Sequence, residues 1–407
     1  MRRVRSSSTT TFAPLRLSEI EERAIADDAA LHIKRTLVQE AEFRRRGGKV
    51  NGSEWKQVRV QDGLHIYKQR RVSRAGLMND GDSEVSSPEL LASVHNDDSS
   101  RWRHSLFDVL ETSTSTGSSG SDSGDSKVPA MLAAGHIEGK LEDAMLGVYD
   151  GDDHAWRVRA ALLKDKFEQA LILATIQHPT YDKPFNFLGV KWFSIEYPPV
   201  VGNFIQKRDM LVTEALGIDT DDNGEEYGYA WFHDFRHPSV PELTDQGMIR
   251  GKTSLCFIFR QASPTRISLY ARGSIDGGGE IPKGLAIVIA ATSIISNTET
   301  VKTSYSRKLS WLVTSQTRQR HLMHEKHVSS GSCHACERIP MLRGLFGCHA
   351  CGFKFCSKCY VERKIVLGRE DLALHSLSFC FNCVLQAKEL SPVDVARATI
   401  VPQTKDT

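Results

Sequence analysis

The eight cysteines between Cys333 and Cys383 constrain this chain more than any other feature of its sequence. They are eight of the nine cysteines in 407 residues, and they form four Cys-x-x-Cys pairs: Cys333/Cys336, Cys348/Cys351, Cys356/Cys359 and Cys380/Cys383. This spacing points two thiolates at one metal, so the four pairs predict two zinc ions, each with four thiolate ligands. Disulfide pairing is the alternative. So short a module buries little apolar surface, and zinc binding is expected to supply most of its folding free energy.

Charge and hydropathy exclude several other classes of protein. The net charge is +2, so long-range attraction to nucleic acid should be weak, and no nucleic-acid partner is expected. The longest apolar run, Leu285 to Ile295, is too short to span a bilayer, and the N-terminus lacks the apolar stretch of a secretory signal. We therefore expect a cytoplasmic protein, in whose reducing surroundings clustered cysteines bind metal. No phosphate-binding loop, His-Glu-x-x-His or Gly-x-Ser-x-Gly motif occurs, so we do not expect an enzyme.

The first third of the chain predicts a tail, a helix, a hairpin and an insert. Residues 1–17 are predicted as a disordered tail, and Ser18 with Glu21 forms a capping box that starts a helix. Apolar residues alternate on both sides of Asp62-Gly63, which predicts a hairpin over Trp55 to Tyr67. Residues 73–127 are polar and rich in Ser, Thr, Gly and Asp, and we interpret them as a disordered insert that could be phosphorylated.

The next segment predicts two helices, a set of strands and a long apolar helix. Helices are predicted over Leu141–Asp150 and His154–Ile176, and a last helix over Pro282 to about Val313. The first half of that last helix is apolar nearly all round, so it should be deeply buried. Apolar runs separated by Gly, Pro and Asp predict the strands Asn186–Tyr197, Arg208–Ala215, Tyr227–Phe235, Thr253–Gln261 and Arg266–Ile275.

This order of elements resembles the START lipid-transfer domain, whose fold is called helix-grip. The hairpin Trp55 to Tyr67, and Met131 to Gly135 with the helix after it, resemble the family's opening strands and following helix. The resemblance covers 18–315 and implies an α+β fold, in which a curved antiparallel sheet holds a long C-terminal helix. It also implies an apolar tunnel for one lipid. Candidate lining residues are Trp192, Phe193, Phe257, Phe259, Leu269 and Leu285.

Two alternatives to lipid contact remain open for residues of this region. The aromatic and aliphatic candidates could instead fill a solid core. Arg260 and Arg272 lie on strands among apolar residues and could meet a lipid phosphate, or they could be solvated surface arginines.

The cysteine region resembles the FYVE zinc finger, a small cross-brace module with two zinc ions. The similarity lies in the eight-cysteine spacing and in Cys351-Gly-Phe-Lys-Phe-Cys356-Ser-Lys-Cys359. The resemblance implies interleaved ligands: Cys333, Cys336, Cys356 and Cys359 at one zinc, and Cys348, Cys351, Cys380 and Cys383 at the other. We assign the finger to 329–388, a linker to 316–328 and a tail to 389–407.

The residues between the cysteines depart from the FYVE pattern. The family binds phosphatidylinositol 3-phosphate on endosomes through three motifs, and this chain lacks all three; near Cys348 only Arg343 stays basic. Met341, Leu342 and Arg343 occupy the loop that contacts the membrane in the family, so weak membrane contact is expected there. A location on endosomal membranes is what the resemblance implies, although the usual headgroup clamp is missing.

The sequence as a whole predicts a non-enzymatic, lipid-binding, peripheral membrane protein with two structural zinc ions. Its partners would be a lipid or a membrane surface, and proteins as well. One alternative is a protein-interaction scaffold whose finger has lost phosphoinositide binding. Another is a RING-like ubiquitin ligase. The absence of a ligand histidine and the four-residue gap between Cys351 and Cys356 argue against that class.

Overall fold

The computed structural model describes residues 12–70, 129–165, 167–195, 206–281, 283–316, 331–340, 344–368 and 372–402. The predicted disordered insert, the linker 316–328 beyond its first residue, and Met341 to Arg343 lie outside the described residues. Residues 12–17 fell within the predicted disordered tail, but they lie against the sheet. There the Leu15 amide donates to the Leu173 carbonyl at 2.7 Å.

The chain forms seven helices and fourteen strands within the described residues. In chain order they are α1 (Glu19–Arg45), β1 (Trp55–Gln61), β2 (Leu64–Gln69), β3 (Met131–Glu138), α2 (Leu141–Val148), α3 (Asp153–Leu163), β4 (Phe167–Gln177), β5 (Phe187–Ile195), β6 (Lys207–Thr220), β7 (Glu226–Asp234), β8 (Met248–Arg250), β9 (Lys252–Ser263), β10 (Arg266–Asp276), α4 (Lys283–Ile295), α5 (Thr300–Ser315), β11 (Phe346–Gly347), β12 (Lys354–Phe355), β13 (Tyr360–Val366), β14 (Leu374–Cys380), α6 (Phe381–Glu389) and α7 (Pro392–Thr399). Two short 3₁₀ turns, Thr244–Gln246 and Ser296–Glu299, complete them.

One ten-stranded sheet organises the molecule. Its order is β1-β2-β3-β10-β9-β7-β6-β5-β4, with antiparallel neighbours throughout and a short parallel addition of β8 to β6. The sheet has two buried faces, because successive side chains along a strand point to opposite sides. We call them the inner face, which holds Phe257 and Phe259, and the outer face, which holds Cys256 and Ile258.

The outer face is covered by α1. Ser18 and Glu21 form the predicted capping box, and Ile25, Ala29 and Ile33 then point into the sheet at helical spacing. They pack with Trp192, Trp231 and other outer-face residues in one apolar core.

The inner face is covered by α2, α4 and α5. The helix predicted over Pro282–Val313 forms as α4 and α5, interrupted by the 3₁₀ turn. Gly147 of α2 lets that helix approach α5 closely, because a Cβ there would lie 1.7 Å from the Thr300 carbonyl oxygen. A long C-terminal helix held by a curved antiparallel sheet confirms the predicted helix-grip arrangement.

One described helix, Gly284–Ser315, is long and apolar enough to cross a membrane by length and composition alone. The buried core helix of a soluble protein meets the same criteria, and 56% of the most apolar window here is buried inside the molecule. The prediction that the apolar run is too short to span a bilayer considered only the first half of this helix, up to Ile295.

The predicted helix His154–Ile176 is wrong in its second half. Helix α3 starts at the Asp152 cap and ends at Leu163, where Lys164 takes a left-handed conformation with φ of 59°. The rest becomes β4, which pairs with β5 through contacts such as Ala170 opposite Phe193. Residues with good local helix propensity thus adopt the strand that completes the sheet edge, because sheet pairing outweighs local preference.

The C-terminal region packs onto the helices of the inner face. The hairpin β13–β14 lies against α3 and α5, and α6 lies against α5. The predicted tail 389–407 contains α7, whose Val395 and Ala396 are buried in the same core as Phe257.

Candidate metal centres and the buried inner core

The eight finger cysteines come together as two groups of four. Cys333, Cys336, Cys356 and Cys359 form the first group, and Cys348, Cys351, Cys380 and Cys383 form the second. Within each group, all sulfur atoms lie within 4.8 Å of one another. This is the interleaved grouping that the resemblance implied. All nine described cysteines are free thiols, so none of them is in a disulfide.

The sulfur geometry fits tetrahedral zinc. Four sulfurs at about 2.3 Å from one zinc are separated by about 3.8 Å. The Sγ atoms of Cys336 and Cys356 are 3.7 Å apart, and those of Cys351 and Cys380 are 4.0 Å apart. Zinc bound to either group would have all four positions filled by protein, which is the pattern of a structural site.

Backbone donors hold the second cysteine group in place. The Cys380 amide donates to the Cys348 sulfur at 3.3 Å, which joins two knuckles that are distant in sequence. Cys380 also caps α6, since its sulfur accepts the Cys383 amide at 3.4 Å. Such donors favour the thiolate form that metal binding needs.

Aromatic and histidine side chains between the cysteines make contacts within the finger. His334 stacks on Phe353 with ring centroids 4.0 Å apart, and Phe346 stacks on Tyr360 at 4.2 Å. Nδ1 of His349 lies 3.1 Å from the Ser378 carbonyl oxygen. Neither histidine belongs to a cysteine group. Ile339 is 74% exposed next to the predicted membrane-contact residues, which themselves lie outside the described residues.

The finger is joined to the rest of the molecule by an apolar interface with α5. Leu309, Leu312 and Val313 of α5 share one buried cluster with cysteines of both groups and with Phe379. Lys308 adds polar links: its Nζ donates to the Lys388 carbonyl at 2.9 Å and pairs with the Asp143 carboxylate at 2.7 Å. Helices α2, α5 and α6 are therefore tied together at one point.

The structure brings together only some of the predicted lipid-contact residues. Phe257, Phe259 and Leu269 are fully buried in the inner-face core under α4. Leu285 is buried near the start of α4. Phe193 packs edge-on to Trp156 and Phe167 beside α3.

Trp192 does not belong with that group, because it lies on the outer face. There it packs edge-on to Phe12, and its indole donates to the Asp209 carboxylate at 2.7 Å. It is adjacent to Phe193 in sequence, so the pleat of β5 sends the two rings to opposite sides of the sheet.

Arg260 and Arg272 also lie on the outer face rather than at the inner core. Arg260 is buried and pairs with the carboxylates of Glu40, Asp221 and Glu225, which ties α1 to the sheet. Arg272 lies over the Trp55 ring at 5.2 Å. Neither of the two alternatives considered for Arg260 holds, since it is neither solvated nor placed near the predicted tunnel.

The sequence reasoning missed a charged cluster buried at one end of the inner core. The Lys191 ammonium lies 2.5 Å from the Asp150 carboxylate and 2.7 Å from that of Glu214, and Arg159 lies 3.5 Å from Asp150. Arg159 also reaches Asn297, so the cluster lies beneath the break between α4 and α5. A signal was present, because Lys191 is the only charged residue of β5 and Glu214 lies between the apolar residues of the middle of β6.

Burial and mutual charge shift the two carboxyl groups of this cluster in opposite directions. Burial alone would raise the pKa of Asp150, but Lys191 and Arg159 bring it down to about 2. Burial and the nearby charge of Asp150 raise the pKa of Glu214 to about 8, although Lys191 opposes the shift. Oε1 of Glu214 and Nε of Arg159 have no hydrogen-bond partner among the described residues. The cluster therefore leaves two unpaired polar atoms, one on a carboxyl group and one on a guanidinium group, within a buried core.

No protein-family model and no curated protein matches this chain. Several solved structures do. Human StAR-related lipid transfer protein 5 is 14% identical with a TM-score of 0.38, over 68% of this chain and 96% of that chain. Human STARD10 is 11% identical with a TM-score of 0.37, over 70% and 84% of the two chains. The human StarD13 (DLC2) lipid transfer and protein localization domain is 11% identical with a TM-score of 0.35, over 66% and 95%. At such low similarity, we assign the fold from the strand order and the long helix described above.

Proposed function

We propose that this chain is a non-enzymatic lipid-binding protein, in which a START-like domain holds one lipid between the sheet and α4. The observation that carries the proposal is the buried charged cluster of Asp150, Lys191 and Glu214 at one end of the apolar inner core. Leaving a buried donor or acceptor unpaired costs about 1–3 kcal/mol. The polar end of a lipid could satisfy Glu214 Oε1 and Arg159 Nε, while its apolar body replaces contacts around Phe257 and Leu269.

We also propose that two zinc ions occupy the cysteine groups and act structurally. The eight thiolates would hold the metals, and each ion would fix two knuckles that are distant in sequence. The proposal is supported by the sulfur spacing, by the free state of the cysteines and by the closed ligand sets. The finger resembles FYVE modules in its spacing but lacks their headgroup motifs. We therefore propose weak membrane contact on the cytoplasmic side, endosomal membranes included, without a preference for phosphatidylinositol 3-phosphate.

Lipid binding is tested by mass spectrometry of the zinc-loaded, purified full chain, before and after incubation with mixed liposomes. We expect about one lipid per chain. In Glu214→Leu, which keeps the Lys191–Asp150 pair, we expect at least a roughly fivefold loss of retained lipid, because the polar end of the lipid would be left without this partner and an unpaired buried polar group costs about 1–3 kcal/mol.

Thr213→Val is the matched control, since Thr213 is buried on the same strand but points to the outer face. It should retain lipid like the wild type. Circular dichroism and zinc content verify that both variants fold. A wild-type chain that neither carries nor extracts lipid would refute the proposal. Separately, clear selection of phosphatidylinositol 3-phosphate liposomes over other anionic liposomes would refute the membrane inference.

A further inference from the structure

A groove of about 710 Å³ lies on the outer side of the sheet, between the C-terminal half of α1 and residues of β1, β3 and β10. Its floor is apolar and aromatic, made by Phe43, Trp55, Leu132 and Tyr270. Val38 at its rim is 65% exposed. This is not the inner core, because α1 and Tyr270 belong to the other face of the sheet. The groove is therefore a second apolar surface that is separate from the proposed lipid site.

Basic side chains surround this floor. Four of them line the groove, Arg45, Arg46, Lys49 and Arg272, against two acids, Glu42 and Glu54. Arg45 and Arg46 both pair with the single carboxylate of Glu42. Lys49 is exposed and has no acidic partner among the described residues. The groove thus has an excess of positive charge over an aromatic floor, which suits an acidic segment with a few apolar side chains.

Both ends of the insert leave the sheet at this groove. Gln69, at the end of β2, pairs with Trp55 of the floor, and its amide donates to the Ala130 carbonyl at 2.8 Å. Leu132 of the floor follows two residues later on β3. Residues 71–128 are thus tethered at the edge of the groove on both sides. A tether of this kind holds a segment at an effective concentration on the order of millimolar, so weak contacts are enough for docking.

One part of the insert has the matching chemistry. Residues 80–98 contain six acidic side chains and no Lys or Arg, with Leu90, Leu91 and Val94 among them. The segment begins ten residues after Arg70, and ten extended residues span up to about 35 Å. We propose that residues 80–98 bind in the groove, with their acids against Arg45, Arg46 and Lys49 and their apolar side chains on the aromatic floor.

Carbodiimide cross-linking of the full chain tests the contact, because it joins an amine to a carboxylate that touches it. We expect mass spectrometry to find Lys49 joined to acids of 80–98. Mixing isotopically labelled and unlabelled chains separates contacts within one chain from contacts between copies. Links only between copies, or Lys49 links only to other acids, would overturn the proposal.

Amide hydrogen exchange gives an independent measure. We expect residues 80–98 to exchange at least tenfold faster in Lys49→Glu and in Arg45→Glu/Arg46→Glu than in the wild type at low salt. Arg23→Glu/Arg35→Glu, at exposed positions of α1 that do not line the groove, should change nothing. Replacing Asp97 and Asp98 by lysine in the Lys49→Glu chain should restore part of the protection. Equal exchange in all these chains, or protection of the groove only by anionic vesicles, would show that the insert is not the occupant.

Discussion

Lys191 is a charged side chain in the middle of an apolar strand, and it is almost completely buried. A buried charge is tolerated only when partners neutralise it, and here Asp150 and Glu214 both lie within hydrogen-bond distance. Burial and the adjacent Asp150 carboxylate both favour a proton on Glu214, although Lys191 opposes it. The raised pKa of Glu214 is therefore the expected response of this site to burial.

This arrangement predicts how stability depends on pH. The pKa of Glu214 rises from 4.5 to about 8 on folding, so the folded chain binds this proton more tightly than the unfolded chain does. The contribution to stability is thus fully present below pH 4.5 and is lost as pH rises toward 8. In Glu214→Gln that loss is absent, because glutamine does not titrate.

Urea unfolding of both chains at pH 5 and pH 8 measures the difference. Between pH 5 and pH 8, we expect the free energy of unfolding of the wild type to fall by at least about 1 kcal/mol more than that of Glu214→Gln. Asp150 does not interfere, because its pKa of about 2 keeps it ionised in this window. An equal change in the free energy of unfolding of the two chains between pH 5 and pH 8 would contradict the prediction.

Among the secondary-structure elements, strands were easier to predict than the end of a helix. The strands β5, β6, β7, β9 and β10 and the hairpin at Asp62-Gly63 form close to where the sequence placed them, whereas the short strand β8 was not predicted. Helix α3 and strand β4 could not be separated, because Ala, Leu, Gln and Glu in 167–177 favour a helix locally. Only pairing with β5, which is a tertiary contact, makes this segment a strand.

The candidate sites, too, could be predicted only where the information is local in the sequence. The four cysteine pairs followed from spacing, which is local to the finger, and their interleaved grouping was implied by the resemblance. Strand alternation predicts Trp192 and Phe193 on opposite faces of β5, so the two could not both line one tunnel. The contact of Lys191 on β5 with Asp150, which follows α2, depends on how α2 and α3 pack on the sheet, and no local pattern encodes that.

Helix α5 has two partners, the inner core on one side and the finger on the other. Leu312 is buried against the finger in the cluster that contains both cysteine groups. We expect Leu312→Ala to lower the free energy of unfolding by about 2–5 kcal/mol, because it leaves a cavity at this interface.

Leu385→Ala on α6 is the matched control, because Leu385 is 55% exposed. This substitution should change the free energy of unfolding by no more than about 0.5 kcal/mol. Urea unfolding measures both variants. Equal effects of the two would show that the interface with α5 adds no stability.

The molecule as a whole is more continuous than the predicted division into a START-like domain, a linker and a finger suggests. The finger packs on α5 through Leu309, Leu312 and Val313, and α7 returns the chain to the inner core through Val395 and Ala396. Asp143 accepts from Ser304 and pairs with Lys308, which in turn donates to Lys388. The two regions therefore share side chains on both sides of α5, so their stabilities should be coupled.

This coupling predicts that metal removal destabilises the sheet domain as well as the finger. All six tryptophans of the chain precede residue 312, so tryptophan fluorescence reports on the region outside the finger. We expect a zinc chelator to lower the thermal midpoint of this fluorescence by at least about 5 °C, because loss of the finger's fold uncovers the apolar face of α5.

Leu312→Ala supplies the control for the route of coupling. If zinc removal destabilises the sheet through the interface between α5 and the finger, the chelator should shift the midpoint less in Leu312→Ala than in the wild type. The reason is that the effects of two changes at contacting groups do not simply add. Zinc content measured on the same samples establishes that metal has left both chains. A wild-type chain that loses its zinc yet keeps its tryptophan midpoint would show that the finger and the sheet unfold independently.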